Sequence, residues 1–411
     1  MPIINNKLYW LYSLLIFLTL YTDSPLSIYL GAFGESMLPC ISLCLYVLFV
    51  LTNKINKTDS FVQQFSFLIQ VTTILSLTAF FVYPILGISY TQLGESLFAK
   101  FVKLWLTFQA YICYLLLLIN IAGNYTIERI LRPFFWGFIL LTIILLIEFG
   151  QSPYAFTYLH TMHADIYYRI RLLTPESSTT ALMLEIFFVL SVFYTYYIRK
   201  NKILLGLVLI CAGLHIYLSG SKTLLAIVCI SGVLFFFQRI KYIFSFKEAL
   251  VMIGFLIFGG YVASFILPKL IESSMNDLEN YTSVVTRFYS IFIGYSIGVC
   301  FPLGTGFQTY MYLFPEMMRN NLFLIDLINL PLRSDEIINL ATSGNDDAVV
   351  AKSFLGQSSM YWGIIGTFVF IRNYQRLCKY TTKKIKKGNT LFRVLFFLIV
   401  IQLLFSSALD Y

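Results

Sequence analysis

The fold class this sequence predicts is an all-α polytopic integral membrane protein, and three observations predict it. Hydrophobic residues make up 58% of the 411 positions and charged residues only 12%, with a mean hydropathy of +0.78. A soluble domain of this size does not keep so much apolar surface out of water. Apolar stretches of bilayer length recur along the chain, and the basic residues between them are sorted onto alternate loops. The excess of 29 Lys and Arg over 20 Asp and Glu therefore points to loops on one membrane face, and no basic patch interleaved with aromatics suggests nucleic acid.

Taken in order, the apolar stretches fall at about 8–22, 35–52, 61–84, 101–121, 133–150, 178–198, 203–218, 223–238, 249–268, 354–371 and 391–408, which makes about eleven transmembrane helices. The first follows Lys7, but TDSP stands where a small-residue cleavage site would be, so it reads as an uncleaved span. Residues 24–34 leave room for a short re-entrant piece. Residues 1–268 hold spans one to nine, 269–352 a large extracytoplasmic loop, and 353–411 spans ten and eleven around a basic loop at 372–390. With the N-terminus inside, Lys7, Lys54, Lys57, Arg129, Arg132, Arg199, Lys200, Lys202, Arg239, Lys241 and Lys247 share one side with the run from Arg372 to Arg393. That side collects 19 of the 29 basic residues, which assigns it to the cytoplasm. The seven cysteines form no CxxC pair, and neither a structural disulfide nor a cysteine metal site is expected.

Composition shifts once, between Lys269 and Lys352, where Asn, Asp, Glu, Ser and Pro return over a length too great for a simple connector. Its middle, RFYSIFIGYSIGVCFPLGTGF, is apolar, with Gly294 and Gly298 four apart and Pro302, Gly304 and Gly306 behind them. A helix lying on or dipping into the membrane surface fits, because a full crossing would send the lysines at 379–387 outside, against the charge rule.

On the side assigned to the outside, charge is scarce and therefore informative. In HADIYYRIRLLTPESSTT, Thr174 can cap a helix, Pro175 suits its first position and Glu176 its first turn, so Arg169 and Arg171 stand beside a positive helix end suited to an anion. The plain alternative is arginines snorkelling to headgroups. Lys222 in LSGSKTLL opens the next span, where it opposes the helix dipole unless an anion is bound or it reaches headgroups. Arg287 in SVVTRFYSIFIG is a third cation or an interfacial anchor. Glu176, Asp346, Asp347, His160 and His163 are possible bases, and each alone is as readily a surface or capping group. His215 reads as a hydrogen bonder between helices, and Glu185 as a carboxyl within a span.

The order RIRLLTPESS, LSGSKT, TRFYSIFIGYSIGVCFPLGTGF and GQSSMYWGIIG, across roughly residues 165–370, resembles the bacterial O-antigen polymerase (Wzy-type) and O-antigen ligase superfamily. Polymerases often show Glu-Pro-Ser where this chain has Pro175-Glu176-Ser177, and arginine where it has Lys222. Ligases carry a histidine before the late span, whereas AKSFLGQSS has none, which tilts the resemblance toward a polymerase.

What the resemblance implies is a glycosyltransferase of the bacterial inner membrane. It would join undecaprenyl-pyrophosphate-linked oligosaccharides, one as donor and one as acceptor, at the periplasmic face. Arg169, Arg171, Lys222 and Arg287, with Gln357, would bind the pyrophosphate and offset its growing charge. Asp347, His163 or Glu176 would take the acceptor proton, and Tyr167, Tyr168, Tyr289 or Trp362 would stack on sugars. No cofactor or bound metal is expected, since fixed cations do a metal's work. Membrane lipids and a chain-length regulator are the expected partners. Two alternatives stay open: a ligase moving polymer to a lipid core, and a lipid-linked oligosaccharide flippase, which should carry more ionisable groups at mid-membrane than Glu185 and His215.

Overall fold

The structure is a computed structural model that describes residues 6–30, 34, 36–52, 54–55, 59–151, 160, 170–174, 177–219, 283–323, 351 and 353–384. Within them the chain is helical: α1 (Asn6–Leu18), α2 (Ser27–Leu30), α3 (Leu38–Leu51), α4 (Ser60–Val82), α5 (Leu97–Ala122), α6 (Ile127–Gln151), α7 (Ser177–Phe193), α8 (Lys202–Ser219), α9 (Ser283–Cys300), α10 (Tyr310–Asn320) and α11 (Phe354–Lys384). A two-residue hairpin, β1 (Thr91–Gln92) with β2 (Glu95–Ser96), links α4 to α5. Four described helices, α4, α5, α6 and the Phe354–Arg376 part of α11, are long and apolar enough to cross a membrane, as a helical membrane protein requires. The others near the expected spans, α1, α3, α7 and α8, are apolar but shorter. The stretches expected at 223–238, 249–268 and 391–408 lie outside the described residues.

Local sequence explains where these helices start and how they bury polar groups. Asp59 begins α4, its carboxylate accepting from the Phe61 N–H at 2.8 Å, and Asn201 begins α8, accepting from the N–H groups of Ile203 and Leu204. Thr72, Ser76, Thr142, Ser191 and Thr195 are buried, yet each hydroxyl donates to the carbonyl four residues back, so none costs an unpaired donor. Residues 24–34 hold only the single turn α2 among those described. The basic run expected as a loop begins as helix, since α11 continues to Lys384 through a stretch with no Gly or Pro to stop it.

Two apolar cores share α5. One joins α1, α5, α6, α7 and α8 around Leu15, Leu117, Phe138, Leu141 and Leu145; the other joins α4, α5, α9, α10 and α11 around Ile69, Phe108, Phe307, Phe314 and Trp362. In the first, alternate loops meet at opposite ends, as repeated crossing demands. Arg199 pairs with Glu128 at 2.9 Å and the Tyr12 hydroxyl donates to the Ile130 carbonyl at one end. At the other end the Thr22 N–H donates to the Leu173 carbonyl at 2.9 Å.

The second core explains the glycines. α9 runs lengthwise along α11: a Cβ on Gly294 would lie 2.9 Å from the Gly356 carbonyl, one on Gly298 2.8 Å from that of Ser359, and Ser359 donates to the Gly294 carbonyl at 2.8 Å. The chain then turns through residues 301–309 and climbs back along α10, where the Tyr289 hydroxyl donates to the Met318 carbonyl and so closes the hairpin at its starting level. Its turn is irregular but satisfied. Thr305 N–H donates to the Met360 carbonyl, Phe307 N–H to the Ser76 hydroxyl, and the Gln308 amide to the Ser76 carbonyl. Non-helical backbone flanked by apolar helices is tolerated only when protein meets its polar groups in this way.

Candidate functional site

The most concentrated polar chemistry among the described residues lies at the end of the first core where Thr22 meets Leu173. His160 is buried between two carboxylates: Nδ1 lies 2.6 Å from Asp23 Oδ2, and Nε2 lies 3.4 Å from Glu148 Oε1. Asp23 follows α1, Glu148 sits in the last turn of α6, and both are at most 5% exposed. An ionised carboxylate can only accept, so with both acids ionised each ring nitrogen donates and the ring is the imidazolium. Burial alone would push the His160 pKa down, but the bonds to Asp23 and Glu148 outweigh it and hold it above the ordinary value, while Arg171 opposes them from nearby.

The same carboxylate fixes the arginine segment. Glu148 Oε2 accepts from the Leu172 N–H at 2.9 Å, and Leu172 holds a left-handed φ of 53°, a strained conformation for a residue without glycine's freedom. The Arg171 carbonyl is met by the Thr174 and Thr180 hydroxyls at 2.9 and 2.5 Å. Arg171 itself is 3% exposed. Among the described residues, two carboxyl groups, one imidazole and one guanidinium thus gather here, and their bonds tie together the first loop, the end of α6 and the approach to α7. The helix begins at Ser177, and Thr174 closes a turn onto Arg171 three residues ahead of it.

Of the residues the sequence singled out, Arg171 and His160 are brought together here. Arg287 lies in the second turn of α9. Gln357 is buried in α11 with both ends of its amide engaged, Oε1 accepting from the Ala351 N–H at 2.9 Å and Nε2 donating to the Tyr361 hydroxyl at 2.7 Å. Tyr289 and Trp362 are also buried, Tyr289 closing the α9–α10 hairpin and Trp362 among Phe65, Phe108, Phe354 and Phe370, so both serve packing. His215 bonds Thr142 across α8 and α6 at 3.0 Å, the packing role expected of it. Glu185 is 2% exposed in α7, and neither carboxyl oxygen meets a hydrogen-bond partner among the described residues. His163, Tyr167, Tyr168, Arg169, Glu176, Lys222, Asp346 and Asp347 lie outside the described residues.

Sequence reasoning missed Asp23 and Glu148. A usable signal existed. Glu148 ends an apolar run that carries no other acid after Glu128, and Asp23 directly follows the first span. The alternation of loops sets both on the same side as His160. No protein-family model matches the chain, and neither a curated protein nor a solved structure does.

Proposed function

We propose that this protein is an O-antigen polymerase, a membrane glycosyltransferase that joins polyprenyl-pyrophosphate-linked oligosaccharides at the periplasmic face of the inner membrane. The observation that supports it is the buried His160 clasp around the Arg171 segment, at the end of the bundle that the charge rule assigns to the outside. A transferase whose leaving group is a lipid pyrophosphate needs cations at headgroup depth that do not reorganise as charge develops. A segment pinned by the Glu148 carboxylate and the Thr22 N–H, and carrying a strained Leu172, is preorganised in that sense.

Within this proposal Arg171, being buried, positions the segment, while Arg169, Lys222 and Arg287 grip the pyrophosphate. His160 has both ring nitrogens engaged by carboxylates and none turned to substrate, so the acceptor hydroxyl's proton goes to Asp347, His163 or Glu176. The anomeric bond to the donor pyrophosphate breaks as the acceptor oxygen bonds to the sugar, and the lipid pyrophosphate departs carrying the electron pair. In excess chelator, turnover is expected to persist, with the arginines and Lys222 doing a metal's work.

The test of the site is alanine substitution with chain extension as the readout. Arg169→Ala and Arg287→Ala are expected to abolish extension or reduce it strongly, Arg171→Ala to reduce it less, with expression and membrane insertion kept. Arg169→Lys is expected to rescue poorly, because a point charge lacks the planar fork that holds two phosphate oxygens. Full-length polymer from all three alanine variants would move the pyrophosphate site elsewhere.

A further inference from the structure

A second arrangement of cations lies on α11, far along the chain from the clasp and independent of the proposed glycan chemistry. Ile365, Phe368, Arg372 and Arg376 recur at spacings of three and four, with Gln375 three residues after Arg372, and so share one helix face. Ile365 and Phe368 are 52% and 62% exposed, an apolar wall on a helix long enough to span a bilayer. One turn on, the same face becomes cationic. Arg372 and Arg376 are both exposed, and neither forms an ion pair among the described residues. Phe368, Ile371, Arg372, Gln375 and Arg376 line a cavity of about 350 Å³, which falls at the lower end of the ~300–1,000 Å³ typical of small-molecule sites.

Arginines near the end of a spanning helix have an ordinary explanation, that they complement the last unpaired carbonyls. That does not apply here, because α11 continues to Lys384, two turns beyond Arg376. Two guanidinium groups one turn apart with no ion pair among the described residues, an amide donor between them and an apolar wall beside them match an amphiphile with an anionic head.

We propose that this cavity binds an anionic phospholipid, its phosphate held between Arg372 and Arg376 with Gln375 donating, and its acyl chain laid along Phe368 and Ile365. A zwitterionic lipid brings an ammonium group to two like charges, so it is disfavoured. A free phosphate satisfies the arginines but leaves the apolar wall bare.

The test is native mass spectrometry of the full chain in detergent, titrated with phosphatidylglycerol, phosphatidylcholine or glycerol phosphate. Each juxtamembrane arginine contributes roughly fivefold to anionic-lipid binding, so Arg372→Gln with Arg376→Gln should weaken phosphatidylglycerol binding about 25-fold. Lysine at both positions should keep most of it, and Lys200→Gln with Lys202→Gln should change little. Unaltered phosphatidylglycerol binding in the glutamine double variant, with its thermal midpoint kept, would overturn the proposal. So would equal losses in the Lys200 and Lys202 control, or glycerol phosphate competing as well as the lipid. The outcome does not depend on whether the chain makes polymer.

Discussion

At the scale of single residues, the clasp makes stability depend on pH in a definite direction. His160 has a folded pKa raised above its unfolded value of about 6.5. Its contribution is therefore complete below about pH 6.5 and is lost as the pH climbs through the raised folded value. Asp23→Asn removes the charge behind the shorter bond and is expected to cost on the order of 3 kcal/mol at pH 6, and less above the folded pKa. Thermal unfolding in detergent across pH 5.5–9 measures this, and a variant whose loss is the same at every pH would show that His160 does not titrate there. Glu185 gives the opposite expectation. Its oxygens have no partner among the described residues, so Glu185→Gln should change stability by less than ~1 kcal/mol or raise it. A larger loss would mean that the carboxylate is held by a partner.

At the scale of elements, the packing of the α9–α10 hairpin on α11 depends on two glycines. Gly363 takes φ 67° and ψ 176° within α11, a region open almost only to glycine, and a Cβ there would strike the Pro302 carbonyl. Gly304, at φ 94°, would likewise strike the Tyr361 carbonyl. Backbone strain and overpacking together predict that Gly363→Ala destabilises by roughly 2–6 kcal/mol. Gly213→Ala, in α8 with nothing within 4 Å of the added carbon, should be neutral or stabilising. Equal midpoints for the two variants would refute the packing of the hairpin against α11. Much of this element was legible beforehand. Period and length located the helices, and the glycines and Pro302 marked an interruption. What could not be read was their partner: Gly294 and Gly298 meet Gly356 and Ser359 across more than fifty residues of chain, and no local pattern encodes that pairing. The clasp was half legible for the same reason. Arg171 and His160 stood out as rare charges, whereas Asp23 and Glu148 gain meaning only when α1 and α6 bring them to one histidine.

At the scale of the whole molecule, the alternation of loops predicts sidedness. The clasp end and residues 269–352 should face outward, and the helical basic run should face the cytoplasm. Cysteine accessibility in spheroplasts checks this: a cysteine at Lys384 should resist an impermeant reagent added outside, and one at Asn320 should react. Labelling at Lys384 from outside would invert the arrangement and take the clasp away from its proposed substrate. The most direct measurement of the central claim is reconstitution of the purified chain in liposomes with lipid-linked repeat units, followed by separation of products by length. A polymerase predicts a ladder of lipid-linked glycans rising by one repeat unit. A single addition to a lipid core, or movement of the repeat unit across the bilayer without any new glycosidic bond, would contradict it.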